Sequence, residues 1–154
     1  MISKTITYTD FNDNERTETF YFHLSKPELL ETYIKGGEEK LIDTLKDALK
    51  RRDAVTFFDL LKDVIRLGYG EKSEDGRFFT KFDAQGRRLG DLFITSEAYS
   101  VLLMDDLFND ITKATEFLMG MFPSDIRPTQ NEIEAALKEL DADTDTEAEV
   151  EAGE

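Results

Sequence analysis

Apolar positions along this chain change period several times, and the changes mark its elements. Residues 4–9, Lys-Thr-Ile-Thr-Tyr-Thr, alternate polar and apolar, with Ile6 and Tyr8 on one side. Residues 17–24 alternate again, with Phe20, Phe22 and Leu24 on one face. Turn chemistry lies between them in Asp10-Phe11-Asn12-Asp13-Asn14-Glu15, so the opening predicts a β-hairpin over about 4–24. From Ser25 the period becomes helical. Ser25-Lys26-Pro27-Glu28 reads as a capping box with Pro in the first turn, and its helix stops at Gly36-Gly37. A second helix is expected over about 38–52, with Leu41, Ile42, Leu45 and Leu49 as its stripe.

Two strong apolar helical patterns follow and organise the rest. Phe57, Phe58, Leu61, Val64, Ile65 and Gly68 share one face, and Tyr99, Leu102, Leu103 and Leu107 share another behind Thr95 or Ser96 as N-cap. The Gly-punctuated polar excursion between them begins Gly68-Tyr69-Gly70, with either glycine read as a helix C-cap. Within it, Arg77–Phe82 reads either as a short strand or as an ordered loop pinned by its Phe residues, followed by a turn at Asp83-Ala84-Gln85-Gly86. Asn109 or Asp110 caps a further helix with Ile111, Ala114, Phe117, Leu118 and Met121 inward, ended by Pro123. Thr129-Gln130-Asn131-Glu132 is a second capping box opening a helix with Ile133, Ala136, Leu137 and Leu140. The fold class expected is α+β, mostly α: an N-terminal β-hairpin followed by five to six helices, in one domain over residues 1–140.

Composition changes this picture only at its end. Of 154 residues, 34 are acidic and 19 basic, a net charge of -15; residues 141–154 hold seven acids and no base. That segment cannot bury enough apolar surface to offset its ordering entropy, so a disordered acidic tail is expected over 141–154. The remaining 140 residues carry a net -8. Such a field argues against nucleic-acid partners, although Lys46, Lys50, Arg51 and Arg52 with Arg87 and Arg88 form two basic clusters. No apolar run approaches the roughly 18–20 residues that a membrane span needs. The chain has no Cys, which excludes disulfides and thiolate metal sites.

Candidate chemistry is thin. Asp10, Asn12 and Asn14 have calcium-loop spacing, but Glu15 replaces the required Gly and Tyr21 the bidentate Glu; a hairpin turn explains them. Gly68–Ser73 lacks the Gly that a phosphate-binding loop places before Lys-Ser. His23, the single histidine, shares the outer strand face with Tyr21 and cannot anchor a multi-histidine site. Paired carboxylates such as Asp105-Asp106 read as a solvated face. No catalytic, cofactor or metal residue is expected.

Several stretches resemble the tail assembly chaperones of long, non-contractile-tailed bacteriophages. They are Ile6–Ser25, Tyr69–Phe78 with its Tyr69-Gly70-Glu71-Lys72-Ser73 core, Thr95–Tyr99 and Met121–Asp125, within roughly residues 4–127. Residues Phe82–Leu92 depart from that pattern and read as an insertion. The resemblance implies a non-catalytic assembly factor of the host cytoplasm, absent from the mature virion. It would bind and solubilise the tape measure protein and help recruit tail tube subunits, the latter through a frameshifted longer form where one exists; self-association is a further possibility. Phe108, Phe117, Met119, Met121 and Phe122 exceed one clean core stripe, so they are candidates for a groove that covers apolar helix faces of the tape measure protein, with the core as the alternative. The competing function is an acidic, nucleic-acid-mimicking inhibitor or other protein-binding adaptor.

Overall fold

A computed structural model describes residues 1–32, 47, 51, 54–124, 131, 135 and 138. Strands β1 (Ile2–Thr9) and β2 (Glu15–Phe22) pair antiparallel over their whole length, as the alternation predicts. The Asp10 carboxylate closes their turn, accepting from the N–H groups of Asn12 (2.9 Å) and Asn14 (3.0 Å) and from Arg16 Nε (2.6 Å). Those bonds offset the left-handed backbone of Asp13 (φ 62°). Helix α1 (Lys26–Thr32) begins with the predicted capping box: Ser25 N–H donates to Glu28, and Glu28 N–H donates to Ser25 Oγ. Helix α2 (Ala54–Gly68) buries Phe57, Leu61, Val64, Ile65 and Gly68 of the expected stripe, while Phe58 is half-buried.

The sheet corrects the sequence reading. The hairpin is half of a four-stranded antiparallel sheet in the order β1-β2-β3-β4, completed by β3 (Tyr69–Lys72) and β4 (Phe79–Thr80) from the excursion. Gly68 and Gly70 are not left-handed caps; positive φ among the described glycines is confined to Gly76 and Gly86. Close approach requires them instead. A Cβ on Gly68 would lie 2.7 Å from Met121 Sδ, and one on Gly70 would lie 2.5 Å from the Phe79 ring. Gly76 and Gly86 supply the turns of the two hairpin-like loops, the second at Asp83–Gly86 as expected, closed by the Phe82–Arg88 bridge.

The segment read as an insertion then forms α3 (Leu89–Phe93), a short helix that buries Phe93 and lays Gly90 against the backbone of Arg66 in α2. Helix α4 (Glu97–Val101) starts at Ser96, whose Oγ accepts from Tyr99 N–H. It continues as a π-helical stretch, Leu102–Leu107, a departure from the α-helix expected there. The wider turn puts Leu102 and Leu107, five residues apart, on the same buried side. Helix α5 (Ile111–Gly120) is capped by Asp110, which accepts from Lys113 N–H at 3.2 Å. Its Ala114, Phe117 and Leu118 meet Phe22 of β2 in one core, with Phe22 and Phe117 edge to face at 5.1 Å.

Most of the helix expected over 38–52 and the 141–154 tail lie outside the described residues. Of the last expected helix, Asn131, Ala135 and Lys138 are helical and exposed.

Candidate protein-binding surface

Two features stand out from the ordinary packing: a buried polar junction and an exposed apolar face. The junction is Lys81, whose side chain is only 7% exposed. Its Nζ donates to the carbonyls of His23 (2.6 Å) and Leu67 (2.8 Å) and pairs with Glu28 at 2.7 Å. One ammonium thus joins the exit of β2, the end of α2 and the first turn of α1. Burial lowers the Lys81 pKa, and Glu28 opposes that shift. Burial alone would raise Glu28, but bonds from Lys81 and Ser25 outweigh it and hold the carboxyl below its usual range. The pKa of His23, beside this junction, is lowered chiefly by burial, then by the positive N-terminus and Lys81. Lys81 and Glu28 are paired from several sides, whereas His23 Nδ1 is buried without a hydrogen-bond partner, and the Lys81 geometry is that of a brace.

Four of the five residues proposed from sequence for a groove are core. Phe117, Met119, Met121 and Phe122 are each at most 5% exposed, in the cluster that holds Phe22 and Leu24. The surplus of apolar residues in this region packs against β2: Leu24 N–H donates to Met121 O at 2.9 Å, which ties the end of α5 to the strand's exit. Those four therefore line no groove open to solvent in this structure. The fifth, Phe108, is 44% exposed.

Phe108 does not stand alone. Its ring stacks on Phe58 of α2, centroids 4.7 Å apart and planes 28° from parallel. Val55 lies one turn before Phe58, and Met104 about one turn before Phe108; they are 72% and 50% exposed. Asp59 and Asp105, adjacent in sequence to Phe58 and Met104, are exposed as well. The result is an apolar strip across α2 and the π-helical stretch, bordered by negative charge. Sequence periodicity pointed at Phe58 as core and could not place it against Phe108, because that contact joins residues 50 positions apart. Among the described residues, no group of three or more His, Asp or Glu could hold a metal ion, and no helix is long and apolar enough to cross a membrane.

The structure is thus a small α+β fold with a braced interior and a partly exposed apolar strip. Residues 1–153 match the family described as phage tail assembly chaperone, and the chain belongs to that family. No curated protein and no solved structure matches it.

Proposed function

We propose that this chain binds the tape measure protein during phage tail assembly, keeps it soluble and helps bring tail tube subunits to it, without catalysis. It would act in the host cytoplasm and be absent from the finished virion. Family membership supports the chaperone role, and the observation that carries the binding reading is exposed Phe108, stacked on half-buried Phe58, with exposed Val55 and Met104. A long helical protein exposes apolar stripes that aggregate when unpaired, and an exposed aromatic strip on a rigid helix pair can cover them. Asp59 and Asp105 favour a stripe flanked by Lys or Arg. Strong net negative charge keeps the covered complex from associating further.

Co-expression with the tape measure protein tests this. The native chain should hold that protein in the soluble fraction, and Met104→Asp with Phe108→Asp should lose most of the capture. Both side chains are about half exposed, so the double variant keeps its far-UV circular dichroism and loses only about 0.5–1.5 kcal/mol of stability with the Phe58–Phe108 ring contact. Undiminished capture by the folded double variant, or no capture by the native chain, removes the proposal. Met119→Asp and Phe122→Asp would bury charge in the core and cannot serve.

A further inference from the structure

A second concavity lies on the sheet, away from the Phe58–Phe108 strip. Directly paired residues share a face, so Tyr8, Phe20, Tyr69 and Glu71 lie on the helix-covered side. Toward the Tyr8 end of that side, α3 borders the sheet. There Leu89, Leu92, Phe93 and Ser96 complete a hollow of about 230 Å³, open to solvent.

The walls are aromatic. Tyr69 and Phe93 stack at 4.5 Å, Phe20 lies 5.2 Å from Phe93 and 6.2 Å from Tyr69, and Tyr8 lies 6.3 Å from Phe20. Leu92 is 46% exposed. The charge at the hollow is negative: Glu71 lines it, and the Glu18 carboxylate accepts the Tyr8 hydroxyl proton. Both carboxylates are felt by the phenols. Tyr8 is pushed up to about 12, first by its bond to Glu18 and then by burial; Tyr69 is raised by burial and by Glu71 and Glu18. The neighbouring cations are committed elsewhere or stand aside. Arg16 pairs with Asp10 at 2.6 Å and reaches Glu18 only at 3.9 Å; Lys4, opposite Phe20, does not line the hollow.

We propose that this hollow binds a lysine or arginine side chain presented by a protein partner. The alkyl stem lies along Leu89 and Leu92, and the cationic head meets the rings of Tyr8, Phe20 and Tyr69 within reach of Glu71. Aromatic faces carry negative potential that attracts an ammonium or guanidinium, and a carboxylate at the rim adds to it. An apolar side chain would fill the same volume while leaving Glu71 without a partner of opposite sign. The site rests on the protein-binding reading only in that a protein supplies the side chain, and it uses none of the residues of the apolar strip.

The test uses the labelled full chain and no tape measure protein, so its failure and that of the apolar strip are separable. Blocked lysine amide, blocked arginine amide and the neutral isostere, blocked norleucine amide, are titrated while the ring signals of Tyr8, Phe20 and Tyr69 are followed by nuclear magnetic resonance. The two cations should give saturable shifts with affinity roughly threefold or more above norleucine. Glu71→Gln, at an exposed position, should reduce that difference while leaving the amide spectrum folded. Norleucine binding as well as the cations, an unchanged preference in Glu71→Gln, or no saturable shift up to the solubility limit overturns the proposal.

Discussion

At the residue scale, Lys81 is the buried charged residue among those described, and it joins three elements. Replacing it with Met leaves the Glu28 carboxylate without its cation and the His23 and Leu67 carbonyls without this donor. Breaking a buried pair from one side costs about 3–5 kcal/mol, and Glu28 keeps 31% of its side chain exposed, so Lys81→Met should cost about 2–4 kcal/mol. Urea unfolding measures this, and Glu28→Gln added to Lys81→Met should recover part of the loss because the orphaned charge is gone. Acidification reads the same logic. Asp10 is lowered from 3.8 to about 2 by the Arg16 bond and by backbone N–H groups, and Glu28 is also lowered. Groups that bind protons less readily when folded stabilise the fold above their ordinary pKa and lose that contribution as pH falls. The melting temperature should therefore drop as pH is lowered from the ordinary carboxylate range toward about 2. A flat profile there would contradict both assignments. Ser25 and Glu28 were legible as a capping box because its spacing is local; Lys81 was not, since its three acceptors come from three distant elements.

At the scale of elements, the same division holds. β1 and β2 announce themselves by alternation and a polar turn within 24 residues. β3 does not, because Tyr69-Gly70-Glu71-Lys72 offers a single apolar side chain and its pairing partner, β2, lies more than 40 residues away; β4 falls within Arg77–Phe82, which reads as a strand or an ordered loop. The π-helical stretch is hidden for another reason: periodicity places Leu102 and Leu107 on one α-helical face with Tyr99 and Leu103, and only the core they enter reveals the wider turn. Gly90 belongs to this scale, since it decides how closely α3 approaches α2. A methyl group there would penetrate the Arg66 carbonyl oxygen, a backbone atom that cannot swing aside. Gly90→Ala should cost about 1–3 kcal/mol by pushing the two helices apart. Gly76→Ala meets no neighbour and should cost about 1 kcal/mol through its positive φ alone. Paired thermal melts distinguish them, and a Gly90→Ala protein as stable as the native chain would mean that α3 does not seat on α2 as described.

For the whole molecule, the question is how an acidic protein engages a partner. Two arrangements are compatible with a net charge of -15: charge itself makes the contact, as in a nucleic-acid mimic, or charge surrounds an apolar contact and keeps it from spreading. The sequence shows about half of the excess in residues 141–154, and the structure shows Phe58 of α2 stacked on exposed Phe108, just after the π-helical stretch, inside the globular part. Removing residues 141–154 leaves 27 acidic and 19 basic residues and every member of the apolar strip. The shortened chain should therefore retain its circular dichroism and capture the tape measure protein as well as the full chain does. Raised salt should weaken that capture only modestly, because it shortens the reach of the exposed Asp59 and Asp105, already about 10 Å at 0.1 M, and leaves apolar burial untouched. A contact made by the acidic segment would behave oppositely, failing on truncation and collapsing with salt. Co-purification of both chain lengths at low and high salt separates the two, and loss of capture on truncation would move the binding surface from the Phe58–Phe108 stack to the acidic terminus.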